Sequence, residues 1–242
     1  MIATPPKKSD LGVRTLSAIV MVAVAGTALW LGGWVWTAFV ALVALGVLWE
    51  WWGLVRRFPR SDWSRWLWLT AGAVYVAVAA TILRFAGWDD PFAATSLIAI
   101  IISIDVGAYF AGRTFGGPKI APAISPSKTW AGLAGGALLC TVTVSVILYF
   151  LIGFSCGIGG CGQRGVPFGT REILTVIIAG TAFAVVAQAG DFFESWMKRR
   201  AGVKDSGKLI PGHGGLFDRT DGLLAVCFVL GVLFALRSLE LG

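Results

Sequence analysis

Acidic residues are scarce in this sequence, 13 Asp and Glu in 242 residues, so their positions are informative. Asp105, Asp191, Asp218 and Asp221 all fall in or at the ends of long apolar runs. A charge there is costly, which makes each a functional candidate by default. Asp218 and Asp221 stand three apart at the expected start of a helix, so both carboxylates share a face and can meet Asp191 from the end of the preceding run. Carboxylates gathered at low dielectric repel one another unless a cation lies between them. Oxygen donors without a Cys or His cluster favour Mg²⁺ over zinc. Asp191, Asp218 and Asp221 are therefore the expected metal ligands.

The segment from Gly190 to Asp221 holds much of the chain's polar content. Gly207, Gly212, Gly214 and Gly215, with Pro211, predict tight turns with exposed amides, and Lys198, Lys204, Lys208 and Arg219 add cations. Both features suit phosphates. A metal, positioned amides and cations beside paired carboxylates are the needs of phosphoryl or nucleotidyl transfer. The plain alternative is a polybasic loop resting on anionic lipid headgroups. Bare positive charge requires neither three Asp nor a Gly-His-Gly-Gly turn, so the residues favour an enzyme.

A second polar stretch, from Gly112 to Ala131, repeats the mixture. Ser125, Ser127, Lys128 and Thr129 stand just before an apolar run, where helix amides and the positive dipole end favour an anion. The same residues also read as a helix cap, and the two roles are compatible. Upstream, Asp105, Tyr109 and Gly112 share a helical face directed towards Arg113. Asp105 is open to two readings, a functional carboxylate or a structural partner of a basic residue or Tyr hydroxyl.

Two further matches are decoys. Gly153-Phe-Ser-Cys-Gly157 fits G-x-S-x-G, and Gly157-Ile-Gly-Gly-Cys-Gly162 fits G-x-G-x-x-G. Both motifs need a strand before and a helix after, in an α/β sheet, and neither has that context. Gly132 and Gly136 open a span with small residues and are expected to serve helix packing.

The elements that position these residues follow from composition. The chain is 57% hydrophobic and 14% charged, with mean hydropathy +0.79, which excludes an ordinary soluble domain. Apolar runs occupy 15–31, 34–49, 66–83, 92–110, 131–151, 173–190 and 223–236, long enough to span a bilayer as helices. Without polar alternation they are not barrel strands. The expectation is an all-α, polytopic transmembrane helical bundle of about seven spans, eight if one is undetected. The first run follows Lys7, Lys8 and Arg14 like a signal peptide, but it lacks an A-x-A site and reads as retained. Residues 1–242 form a single integral membrane domain. Within it, 1–110 supply the N-terminal spans and 111–242 the catalytic part, with cytoplasmic loops 112–130 and 191–221.

The net charge of +7 is read as a topology signal, with no nucleic-acid partner. With the N-terminus cytoplasmic, most basic residues fall inside; Arg84, Arg164, Arg171 and Arg237 are the exceptions. Trp30, Trp34, Trp36, Trp49, Trp51, Trp52, Trp63, Trp66, Trp68, Trp88 and Trp130 lie near span ends and read as interfacial anchors. Cys140 and Cys227 read as packing residues. Cys156 and Cys161 share an external Gly-rich loop, Gly153 to Gly169, where a disulfide is open but not fixed by spacing.

The segment after Gly190 closely resembles the signature of the bacterial phosphatidate cytidylyltransferases, or CDP-diacylglycerol synthases. The matching residues are Ser195-Trp-Met-Lys198-Arg199, Lys204-Asp205, and Pro211-Gly-His213-Gly-Gly-Leu-Phe-Asp218-Arg219-Thr-Asp221. Asp105-Val-Gly-Ala-Tyr-Phe-Ala-Gly-Arg113, Ser125-Pro-Ser-Lys-Thr129 and Trp49-Glu-Trp-Trp52 look similar to other stretches of that family. Ala131 departs from it, since members usually carry Glu there.

The resemblance implies that CTP and phosphatidic acid give CDP-diacylglycerol and pyrophosphate, with Mg²⁺ required and a second, monovalent cation left open. It implies a multi-pass enzyme of the cell inner (cytoplasmic) membrane, with its active site on the cytoplasmic side, and a homodimer. Asp191, Asp218, Asp221 and Lys198 would be catalytic. Ser195, Lys204, Asp205, His213, Arg219, Ser125, Ser127, Lys128 and Arg113 would contact substrate or nucleotide, with His213 orienting the loop or a phosphate. Asp105 is a further candidate. The alternatives are a CTP-dependent lipid-alcohol kinase, which would release CDP, and a transporter with broken-helix ion sites.

Overall fold

The computed structural model describes residues 11–59, 62–159 and 169–240. Among the described residues there are seven helices: α1 (Leu11–Leu31), α2 (Gly33–Val55), α3 (Asp62–Ala86), α4 (Pro91–Phe115), α5 (Trp130–Gly159), α6 (Thr170–Arg200) and α7 (Phe217–Glu240). All seven are long and apolar enough to cross a membrane, and no strand occurs among the described residues. The all-helical bundle expected from the apolar runs is what forms.

The helices extend beyond those runs, and the differences bear on the site. Residues 191–200 continue α6 rather than opening a loop, and α7 begins at Phe217, so the connecting loop is 201–216. The reason is packing. Phe193 stacks on Trp68 and tilts against Trp51, while Trp196 meets Trp68 and Phe58, so an apolar face persists past the point where charged residues begin. The other loop likewise shortens to 116–129. Helix α5 runs to Gly159, which removes the first residues of the expected Gly153–Gly169 loop and puts the G-x-S-x-G match on helical backbone. Residues 160–168 lie outside the described residues, and with them the Cys156–Cys161 pairing.

Helix α4 packs on α5, α5 on α6 and α2 on α3, and α7 closes the bundle by lying against both α6 and α3. Two glycines set how closely the site-bearing helices approach. A Cβ on Gly107 of α4 would strike the Gly135 carbonyl of α5, and a Cβ on Gly190 of α6 would sit 2.6 Å from the Asp221 carbonyl of α7. Gly132 and Gly136 also face α4 backbone, the packing role expected of them. Cys140 and Cys227 are buried and free, as expected.

The tryptophans divide. Trp30, Trp34, Trp49, Trp63, Trp66 and Trp130 are exposed as anchors should be, but Trp36 and Trp51 are core residues at 1% and 2% exposure. Their indole N–H groups explain how they tolerate burial: Trp36 donates to the Leu83 carbonyl at 2.9 Å and Trp51 to that of Trp68 at 3.0 Å. Trp51 also packs on Phe217 at the first turn of α7.

Candidate active site

The polar residues gather at one end of the bundle. There the starts of α1, α5 and α7 meet the ends of α2, α4 and α6. Ser17 of α1 touches His213, Arg199 of α6 donates to the Ile124 carbonyl, and Glu50 of α2 meets the 201–216 loop. The start of α1 thus shares a side with the site. The carboxylates at this end sort into two groups.

The first group is built on α4, α6 and α7. Asp191, one turn before Ser195, accepts a 3.4 Å hydrogen bond from the Ser195 hydroxyl and forms a salt bridge with Lys128. Asp221 lies within electrostatic reach of both Asp191 and Asp105, and Asp105 within reach of Lys128. Three carboxyl groups from three helices therefore gather beside Lys128, with Arg219 also within reach of Asp105, an arrangement that suits a bound cation. Beside them a cavity of about 430 Å³ is lined by Asp105, Tyr109, Arg113, Ser127, Lys128 and Gln188. Arg113 donates to the Tyr109 hydroxyl at 2.8 Å. The buried Gln188 side-chain amide oxygen has no donor among the described residues. Thr129 accepts from the Gly132 amide at 3.0 Å, capping α5, so Lys128 is anchored by the helix it precedes. Ser125 is buried in the turn before it.

The second group surrounds Asp218 in the first turn of α7. Lys198 lies between two carboxylates, 2.6 Å from Asp218 and 2.5 Å from Glu194 on its own helix. The other Asp218 oxygen accepts from the Ser206 amide at 2.9 Å, the Ser206 hydroxyl at 2.9 Å and the Gly215 amide at 2.8 Å. Asp218 thus ties loop 201–216 to α6. Glu50, 3% exposed, reaches the same loop from α2. It accepts from the Leu216 and Phe217 amides at 3.0 and 2.8 Å and from the Ser206 hydroxyl at 2.9 Å. The opening amides of α7 have no helical partner, so Glu50 caps a helix distant in sequence.

His213 is held through its ring by Ser17 at 2.8 Å, and its carbonyl takes both Arg219 donors at 2.8 and 3.2 Å. Both residues brace the loop. Lys204 and Asp205 line a separate cavity.

A divalent cation suits the first group better than the second. Its donors are all hard oxygens, whereas Asp218 is already engaged by four donors. Among the described residues no three His, Cys, Asp or Glu are close enough to encase a metal. Mg²⁺ would there take one or two carboxylates and complete its shell with water and substrate phosphates. The structure thus separates Asp218 from the pair Asp191 and Asp221, a division of the three expected ligands that spacing alone did not indicate.

Residues 60–237, most of the chain and all of this site but Glu50 and the α1 contacts, match the cytidylyltransferase family. The chain belongs to that family. Family relatives named phosphatidate cytidylyltransferase include those of Brucella melitensis, 32% identical over 94% of this chain and 95% of the relative, and Rickettsia bellii, 33% identical over 95% and 93%. That of Haemophilus influenzae is 35% identical over 73% of this chain and 62% of its own length. The family implied by the signature after Gly190 is the family found. Glu50, Glu194, Ser206 and Gln188 were not singled out from the sequence. Of these only Glu194 left a local signal, its i,i+4 spacing to Lys198.

Proposed function

We propose that this family member transfers a cytidylyl group from CTP to phosphatidic acid, releasing pyrophosphate and forming CDP-diacylglycerol. The salt bridge between Lys128 and Asp191 carries the reading, because it brings the basic turn before α5 onto the carboxylates of α6 and α7 beside an open cavity. The relatives' shared name supports the choice of both substrates.

In this reading the cavity takes the triphosphate of CTP. Lys128 and Arg113 neutralise it, Ser127 and the start of α5 position it, and Lys128 passes from Asp191 to an incoming phosphate. Phosphatidate already presents an anionic oxygen, so no strong general base is required. That oxygen forms a bond to the α-phosphorus of CTP as the bond to the β-phosphate oxygen breaks, and pyrophosphate leaves with the electron pair. Asp191 and Asp221 would hold Mg²⁺, which when bound offsets charge on the reacting phosphates. Lys198 and Asp218 keep loop 201–216 closed over α6, and Ser195 orients Asp191. The polar end carries the basic residues of the loops, which supports a cytoplasmic face at the inner membrane. A homodimer rests on the motif resemblance alone.

The test is product analysis. Purified protein with Mg²⁺, phosphatidate and CTP labelled in the base should give labelled lipid and pyrophosphate. CDP with a newly phosphorylated lipid would favour a kinase, and uptake into sealed vesicles without nucleotide consumption a transporter; either overturns the proposal.

A further inference from the structure

The cavity beside Lys128 and Asp191 has a mouth and a floor. Arg113 in the last turn of α4 and Ser127 just before α5 lie at the polar end of the bundle. Asp105 stands two turns earlier on α4, about 12 Å further in at the helical rise. Gln188 lines the same cavity from α6, on the face that carries Asp191 and about 4.5 Å inward of it. Further in again, Ile100, Ala184 and Val226 are buried in one apolar cluster. Asp105 and Gln188 are thus the polar floor of a pocket whose cations are at its mouth.

Gln188 is 5% exposed, and its side-chain amide oxygen receives no hydrogen among the described residues. A buried acceptor left open is costly, and a bound donor removes the cost. Phosphates cannot be that donor, because at neutral pH they offer acceptors. They also belong with Arg113, Ser127 and Lys128 nearer the mouth. In a nucleotide held that way, the base is the part farthest from the phosphates and reaches the floor. Cytosine carries an exocyclic amino group there, with two hydrogens, where uracil carries a carbonyl oxygen.

We propose that Gln188 determines the choice of base, its amide oxygen accepting one hydrogen of the cytosine 4-amino group while Asp105 on the facing wall accepts the other. An amide alone can turn over and serve uracil, but an ionised carboxylate only accepts. Uracil would therefore set its carbonyl against the Asp105 oxygens. The assignment rests on CTP being the occupant of this cavity, so its test reads binding apart from transfer.

The experiment is isothermal titration of the full chain in detergent, with Mg²⁺ and no phosphatidate. The probes are CTP, UTP, dCTP and the triphosphate of the pyrimidin-2-one riboside, which is cytidine without its amino group. In the wild type, loss of that amino group should weaken binding roughly tenfold, a reading that needs no variant. Gln188→Leu of wild-type thermal midpoint should weaken CTP and dCTP alike, again roughly tenfold, and leave UTP unchanged. Arg113→Gln, at the phosphate end, should weaken all four alike. Equal wild-type affinity for CTP and the analogue without the amino group overturns the proposal, as does equal weakening of CTP and UTP in Gln188→Leu. A loss for CTP that spares dCTP also overturns it, and gives Gln188 a ribose hydroxyl instead. If labelled lipid still forms from CTP beside any of these results, the base assignment alone has failed. Selective CTP binding through Gln188 with no lipid product would remove the transfer reading and leave the base assignment standing.

Discussion

Glu50 and Asp218 share the hydroxyl of Ser206, which lies 2.9 Å from a carboxylate oxygen of each. That hydroxyl has one hydrogen, so the two carboxylates, from α2 and α7, compete for one donor. Both are otherwise satisfied by backbone amides and Lys198. Ser206 is thus where α2 grips the loop that carries the signature residues.

Replacing Glu50 should therefore damage both stability and turnover. Glu50→Ala leaves the Leu216 and Phe217 amides unpaired in a buried place, at about 1–3 kcal/mol each. Glu50→Gln keeps one acceptor oxygen and should fall between wild type and Glu50→Ala. Thermal unfolding in detergent, read beside turnover, checks the order. Wild-type stability in Glu50→Ala would show that the cap is dispensable.

Lys198 offers a sharper comparison. Its ammonium lies between Glu194 and Asp218, and all three side chains are at least half buried. Lys198→Met removes the cation and leaves two carboxylates facing each other, which should cost roughly 3–5 kcal/mol. Adding Glu194→Gln removes one of those charges and should recover part of the loss. If the double variant is less stable than Lys198→Met alone, Lys198 does not serve as the counterion described here.

Gly190 should tolerate no side chain. A Cβ there meets the Asp221 carbonyl and the Ala225 methyl, both at 2.6 Å, so α6 and α7 must separate beside Asp191. Gly190→Ala should cost about 1–3 kcal/mol by overpacking and reduce turnover through the shift of Asp221 relative to Asp191. A matched substitution at Gly53, where a Cβ meets nothing within 4 Å, is the control. Equal thermal midpoints for the two variants would contradict the packing described.

The spans were legible because a run of apolar residues long enough to cross a bilayer has few other uses. Their ends were not. Charges at Asp191, Glu194 and Lys198 looked like the start of a loop, although Phe193 and Met197 stand on the inner face at helical spacing and carry α6 onward to Arg200. Among the tryptophans, position near a span end did not separate exposed Trp49 from buried Trp51, because that depends on which face α3 and α7 cover. The Asp191, Asp221 and Lys128 grouping followed from spans folding back on one another. Glu50 was hidden for the opposite reason. A lone Glu in Trp49-Glu-Trp-Trp52 has no neighbour in sequence that announces the amides it caps, and its partners come from a loop near the other end of the chain.

The central claim is that Asp191, set against Lys128 and Asp221, belongs to the reacting centre rather than to the scaffold. It is tested most directly by the rate of pyrophosphate release from CTP and phosphatidate, in Mg²⁺, by purified Asp191→Asn protein of wild-type thermal midpoint. A loss of about a hundredfold or more is the result predicted, in line with removal of one preorganised charge at a transfer site. Release at the wild-type rate would contradict the account.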